Sequence, residues 1–155
     1  MEIERKYLVG NIPYNLSDLK YHDIEQAYLC TKPVVRIRKQ DADYILTYKG
    51  SGMMAREEYN LPLTEEAYEH LKEKADGNII SKRRYLIPIE NDLTIELDVF
   101  HDFLAPLILA EVEFPSETAA NTFIPPSWFT KDVTFNKKFH NSYLSKVTKE
   151  DKEFV

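Results

Sequence analysis

Glu2-Ile3-Glu4-Arg5-Lys6-Tyr7-Leu8-Val9 carries an acid or a base at every second residue from Glu2 to Lys6. Successive side chains of an extended strand point to opposite faces, so Glu2, Glu4 and Lys6 share one face, and Ile3 and Tyr7 the other. The pattern recurs along the chain: Arg36 with Arg38; Arg56, Glu58 and Asn60; Lys82 with Arg84; Glu96 with Asp98; Glu111 with Glu113. Lys49 ends a further strand that shows Thr47 and Ile45 on the same face. The opposite faces read Val35 and Ile37; Tyr59 and Leu61; Ile95, Leu97 and Val99; Val112 and Phe114. Arg5, Lys39, Glu57 and Arg83 interrupt that apolar side.

An ordinary sheet, polar side out and apolar side in, accounts for any one of these pairs. It accounts poorly for the set, because neighbouring positions on one face repeatedly carry the same sign. Like charges this close repel unless an opposite charge lies between them. A hard divalent cation, Mg2+ or Mn2+, would relieve the acidic pairs. A polyanion would relieve the basic ones, and the arginine fork matches phosphate oxygens. Together they point to a metal-bound polyphosphate. Dry burial would cost on the order of several kcal/mol per ion, so a closed sheet must hold water, metal or ligand inside.

Strands are expected near 2–9, 24–30, 34–40, 43–49, 54–61, 79–88, 93–100 and 107–114. Ten tyrosines and eight phenylalanines favour strands further. Thr64 can cap a helix with Glu65 and Glu66 in its first turn, Tyr68, Leu71 and Ala75 on one face, and Gly77 as its stop. A second short helix is expected from Ser116 to the stop at Pro125, and a third from Asn141 with Leu144 and Val147 facing inward. Residues 10–23 read as a loop with one helical turn. The fold class is mainly β with flanking helices (α+β), and the strand count permits an antiparallel closed barrel.

The 155 residues suit one domain, 1–155. Twenty basic against twenty-six acidic residues give a net charge of −6, which disfavours duplex nucleic acid as a partner. Cys30 is the only cysteine, so no intramolecular disulfide can form, and a reducing compartment is indicated. The start lacks a basic segment followed by a long apolar run, and the most apolar stretch, 103–110, is short and contains Pro106. A cytoplasmic protein with no membrane partner is expected. Apolar side chains on the barrel exterior exceed what two or three helices cover, which leaves a homodimer open.

Glu2-Ile3-Glu4-Arg5-Lys6 resembles the ExExK signature of the CYTH superfamily, the triphosphate tunnel metalloenzymes. The family's other motifs follow in order. Gln26-Ala27-Tyr28-Leu29 resembles its QGYL segment, Arg36-Ile37-Arg38 its RxR strand, Thr47-Tyr48-Lys49-Gly50 its lysine strand and Arg56-Glu57-Glu58-Tyr59 its RxEY strand. Lys82 with Arg84, Glu96-Leu97-Asp98 and Glu111-Val112-Glu113 complete the set. The compact form is most similar to the bacterial inorganic triphosphatases of the superfamily. Asn60 stands where relatives often carry a glutamate, Ala27 replaces a glycine, and Asn136 and His140 occur where Asp and Lys are common.

The resemblance implies an eight-stranded antiparallel tunnel that hydrolyses triphosphate or a short polyphosphate with a divalent metal. Lys6, Arg36, Arg38, Lys49, Arg56, Lys82 and Arg84 are then phosphate ligands. Glu2, Glu4, Asp98, Glu111 and Glu113 hold metal or its water, while Glu58 and Glu96 can orient basic neighbours instead. Tyr28 is the candidate proton acceptor, with Lys6 beside it favouring the phenolate; free tyrosine, with a pKa near about 10, is a poor base at neutrality. Inorganic triphosphate is the leading substrate. Nucleotide or thiamine triphosphate, as substrate of a phosphatase or a cyclase, and a non-catalytic polyphosphate-binding module are the alternatives. The paired carboxylates favour catalysis, since a polyanion binder needs few of them. The four histidines, His22, His70, His101 and His140, show no ligand spacing, and Trp128 beside Pro125 and Pro126 reads as loop packing.

Overall fold

The computed structural model describes residues 1–148; residues 149–155, the end of the expected domain, lie outside it. Ten strands form one antiparallel sheet: β1 (Glu2–Val9), β2 (Lys20–Thr31), β3 (Val34–Gln40), β4 (Asp43–Lys49), β5 (Ala55–Arg56), β6 (Glu58–Pro62), β7 (Ile80–Pro88), β8 (Thr94–Phe100), β9 (Ile108–Glu113) and β10 (Phe129–Asp132). The helices are α1 (Glu65–Lys72), α2 (Glu117–Thr122) and α3 (Asn141–Leu144).

The strand order is β10-β1-β9-β8-β7-β2-β3-β4-β6, with β5 against β1. This order explains how the sheet curls round. Only Glu57 separates β5 from β6, yet β6 pairs with β4 while β5 pairs with β1. One bent segment thus joins the last long strand to the first. The single strand expected over 54–61 is therefore two, broken where it changes partners. The barrel is nearly closed, not fully closed. One edge of β1 is divided between β5, at Glu2 and Ile3, and β10, at Tyr7 to Val9. β10 escaped the sequence reading because it is short and has no run of alternating side chains.

Two other boundaries differ from expectation. β2 starts at Lys20 because Lys20 to Gln26 pair with β7, so the loop ends earlier than read; its helical turn is at Leu16–Asp18, capped by Asn15. α1 starts on the Thr64 cap as expected but ends at Lys72, well short of Gly77. Gly77 instead has φ +95°, and a Cβ there would lie 2.3 Å from the Ser145 carbonyl oxygen. It marks a close crossing of two backbone segments. Ser116 caps α2, and Leu144 and Val147 are buried as expected.

The apolar exterior is covered in two places. Tyr68 of α1 packs with Ala27 and Ile37, and Ala120 of α2 and Trp128 pack over Tyr7, Leu97 and Val112. Inside, the lining changes along the barrel. Register puts Leu8 opposite Leu109, Leu109 opposite Asp98, and Phe100 opposite Lys82 on the inner face. Leu109, Phe100 and Ile80 join Val133, Phe139, Leu144 and Val147 in one apolar cluster. The segment after β10 therefore fills one end of the barrel with a dry floor and leaves the charged half above it. Among the described residues, no helix is long and apolar enough to cross a membrane.

Candidate active site in the barrel lumen

The charged half encloses a cavity of about 260 Å3. Every strand but β10 contributes through its inward positions. β1 supplies Glu2, Glu4 and Lys6, β2 Tyr28, β3 Arg36 and Arg38, and β4 Lys49. β5 supplies Arg56, β7 Arg84, and β9 Glu111 and Glu113. The structure thus brings together eleven of the thirteen residues expected at the site, drawn from strands far apart in sequence.

Lys82 and Asp98 are the two it sets apart. They do not line the cavity. Their side chains are fully buried, with Lys82 Nζ 2.7 Å from Asp98 Oδ2. Asp98 also takes two hydrogen bonds from the Arg84 fork, at 2.7 and 2.9 Å. They lie on the layer where the lining turns apolar, so each is occupied by its neighbour. The expectation places both against ligand; here Asp98 braces Arg84 and Lys82 pairs with Asp98.

The cations crowd one another. Burial, then Arg36 and Arg84, push Arg38 down to about 9. The Arg38 Nε and Nη2 both donate to Gln26 Oε1, at 3.0 and 2.7 Å, which fixes the plane of the fork. Arg36 donates through Nη2 to Thr47 Oγ1 at 3.3 Å, while its buried Nε finds no hydrogen-bond acceptor in the protein. Two guanidinium groups held this way, with no carboxylate among their hydrogen-bond partners, call for an anion with many acceptor oxygens.

The acids crowd one another too. Burial first, then Glu111 and Glu2, push Glu4 up to about 8. Glu113 is raised by burial and by Glu2, Glu96 and Glu58. Glu111 behaves differently. Burial alone would raise it, but Lys6, Arg84 and Lys82 hold it well below the usual carboxylate range. Glu2 is met by Lys49 Nζ at 2.8 Å and by Arg56 Nε at 3.6 Å. Glu58 and Glu96, whose roles the motifs left open, also line the cavity, and they pair with Lys49 at 3.3 Å and Arg84 at 2.9 Å.

Sequence reading placed Thr47 and Asn60 on the charged face without a role, and both line the cavity. It missed Gln40, which is neutral and carried no charge signal, although it falls on an inward position of β3. Asn141 and Ser142 reach the cavity from the floor segment, and Asn141 Oδ1 accepts from Lys82 Nζ at 3.2 Å. Lys137 and His140, in the same segment, do not line this cavity.

Residues 1–150 match the family model described as CYTH domain. A protein named inorganic triphosphatase in Nitrosomonas europaea is 39% identical over 147 residues, covering 93% of this chain and 96% of that protein. One of the same name in Acetivibrio thermocellus is 35% identical over 152 residues, covering 94% and 93%. A crystal structure of an inorganic triphosphatase superposes with a TM-score of 0.71 at 36% identity and covers 96% of each chain.

Proposed function

Since the chain belongs to the CYTH domain family, we propose that it is an inorganic triphosphatase that splits tripolyphosphate into pyrophosphate and phosphate in its lumen. The observation that carries this reading is the charged lining of one small cavity, with crowded arginines on β3 as one wall and crowded carboxylates on β1 and β9 as another. Their mutual ion pairs leave Arg36 Nε without an acceptor and Glu4 pushed up to about 8, and a phosphate chain with a divalent metal would answer both.

Arg36, Arg38, Lys49, Arg56, Arg84 and Lys6 would grip the phosphate oxygens. The donor set on the other wall fits a hard cation, being all carboxylate. Glu4, Glu111 and Glu113, with Glu2 beside them, would hold it. The ion would be Mg2+ or Mn2+; Mg2+ is commonly held by one or two carboxylates together with the substrate's phosphates. When bound, such an ion neutralises phosphate oxygens and orients water.

Phosphoryl transfer depends mainly on charge neutralisation and in-line placement. The cationic wall does both: it fixes the chain and stabilises the leaving pyrophosphate. Water oxygen bonds to a terminal phosphorus, the bridging P–O bond breaks, and the bridging electrons leave on pyrophosphate. Tyr28, buried at the cavity wall, is our candidate for taking the water proton. A cytoplasmic setting fits the single cysteine and a phosphate substrate.

The deciding experiment measures phosphate, pyrophosphate and cyclic products from tripolyphosphate, ATP and thiamine triphosphate, each with Mg2+ and with Mn2+. Tripolyphosphate is expected to be cleaved fastest, and only with metal present. Tight binding without any product would overturn the enzyme reading, and faster turnover of an organic triphosphate would overturn the substrate. Tyr28→Phe is expected to keep tripolyphosphate affinity and lose about 10²- to 10⁴-fold in turnover, the usual range for a proton-transfer group. Unchanged turnover would remove Tyr28 from the chemistry.

A further inference from the structure

Lys6 is tied down at its backbone and at its ammonium by one segment that carries none of the charged pairs. Its carbonyl accepts from Val133 N at 2.8 Å, and its N–H donates to Thr134 Oγ1 at 3.0 Å. Its Nζ donates to the Phe139 carbonyl at 3.2 Å and lies 3.3 Å from Glu111 Oε1. The segment is itself braced. The Thr134 hydroxyl donates to Asp132 Oδ1 at 2.6 Å, and the Thr134 N–H donates to the same oxygen at 2.9 Å. On the outer face, Asp132 Oδ2 is 2.6 Å from Arg5 Nη2. The His140 Nε2 meets the Thr134 carbonyl at 2.8 Å, which closes the turn between them. A carbonyl only accepts, so Nε2 carries the proton.

We propose that Asp132–His140 is a clasp that positions the Lys6 ammonium for the reaction, with Thr134 as its central link. A lysine side chain has four rotatable carbons and loses about 2 kcal/mol of rotamer freedom when fixed. Here the cost is met in advance by the fold. An ammonium has three donors. The Phe139 carbonyl and Glu111 occupy two, which leaves the third for a ligand in the cavity that Lys6 lines. Thr134 sets this geometry from one side, because its hydroxyl spans the Lys6 backbone and Asp132. The Phe139 carbonyl sets it from the other, five residues along the same clasp. Thr134, Asp132 and His140 touch neither cavity nor ligand, so they act as positioning residues through Lys6. This rests on the triphosphatase reading for its kinetic consequence, but not for the geometry.

The test compares Thr134→Val, which keeps shape and loses the hydroxyl, with Thr134→Ser, which keeps the hydroxyl. Asp132→Ala, on the outer edge, is the second variant should Thr134→Val fold poorly. The first readout needs no substrate: the Lys6 ammonium signal in ¹⁵N-lysine-labelled protein, assigned by its loss in Lys6→Met. It should persist in wild type and Thr134→Ser and vanish into solvent exchange in Thr134→Val or Asp132→Ala. In kinetics, Thr134→Val should lower kcat about tenfold or more, as a small misplacement does, with KM held within about threefold and Thr134→Ser near wild type. A Lys6 signal unchanged in both disrupting variants overturns the clasp. So does equal loss of activity in Thr134→Ser and Thr134→Val. Wild-type protein that cleaves no tripolyphosphate overturns the substrate reading, and the ammonium signal then decides the clasp alone.

Discussion

Glu111→Gln is expected to lower kcat on tripolyphosphate by on the order of 10²–10³, the loss typical when a preorganised charge is removed at a reacting centre. Glu111 lines the cavity with only 5% of its surface exposed. Its two oxygens face Lys6 Nζ at 3.3 Å and Arg84 Nη2 at 3.4 Å. Those cations and Lys82 outweigh burial and keep it ionised. Glutamine has nearly the same shape, so the change removes charge and little else. It takes one anionic ligand from the group proposed to hold the metal, and it releases the ammonium of Lys6 from a partner. Polyanion binding follows the opposite sign, since the lumen becomes more positive. Calorimetry without metal should therefore show tripolyphosphate binding at least as tight as wild type, while turnover collapses. Turnover within about tenfold of wild type would take Glu111 out of the metal site. Weakened metal-free binding would mean that the glutamate acts by shaping the basic wall.

The strand alternation made the lumen legible, for a simple reason. Charge on an inward-facing position costs so much that it survives only where a ligand or a counter-charge repays it, so each such residue marks the inside. Glu4, Arg38 and Glu111 are read this way from spacing alone, and the structure sets them round one cavity. The same spacing could not separate residues that meet the cavity from residues one layer deeper. Arg84 and Lys82 share a face and a sign, yet Arg84 lines the cavity and Lys82 does not. What distinguishes them is depth along the barrel, which depends on strand register. Register is fixed by partners such as Phe100 opposite Lys82, and these are invisible within one strand. The floor was partly hidden for a related reason. Leu144 and Val147 are legible as the inward face of the helix from Asn141, but Val133 and Phe139 lie in a loop and a short turn with no period. Their grouping emerges only when the barrel offers an open end to fill. The division of the β1 edge between β5 and β10 likewise follows from closure, not from any local preference.

The buried triad of Asp98, Lys82 and Arg84 supplies the largest expected effect on stability. Asp98→Asn should cost about 3–5 kcal/mol, the usual loss when one member of a buried ion pair is removed. For a chain of this size that lowers the melting temperature by roughly 6–20 °C. Asp98 answers both Lys82 at 2.7 Å and the Arg84 fork at 2.7 and 2.9 Å. Arg84 keeps Glu96 and Glu111 when Asp98 is neutralised. Lys82 keeps only the Asn141 oxygen among its hydrogen-bond acceptors, and it sits against the Phe100 ring. Even in the native protein, burial pushes the Lys82 ammonium down to about 7, with Asp98 opposing and Arg84 adding to the push. Without Asp98 it falls further, so near neutrality the folded variant carries a neutral lysine while the unfolded chain carries a charged one. The unfolded state then binds the extra proton, and stability rises with pH between the depressed native value and the ordinary lysine value. Thermal melts of Asp98→Asn should therefore recover part of the deficit relative to wild type as pH rises toward about 7, and run parallel to wild type above it, where Lys82 is neutral in both folded proteins. The double variant Lys82→Met/Asp98→Leu removes both charges and keeps most of the volume. It should be more stable than Asp98→Asn and show no such recovery, because the group that titrates is gone. A single variant that melts with wild type at every pH would mean that water or a second carboxylate reaches Lys82, and the floor of the lumen would then not be dry.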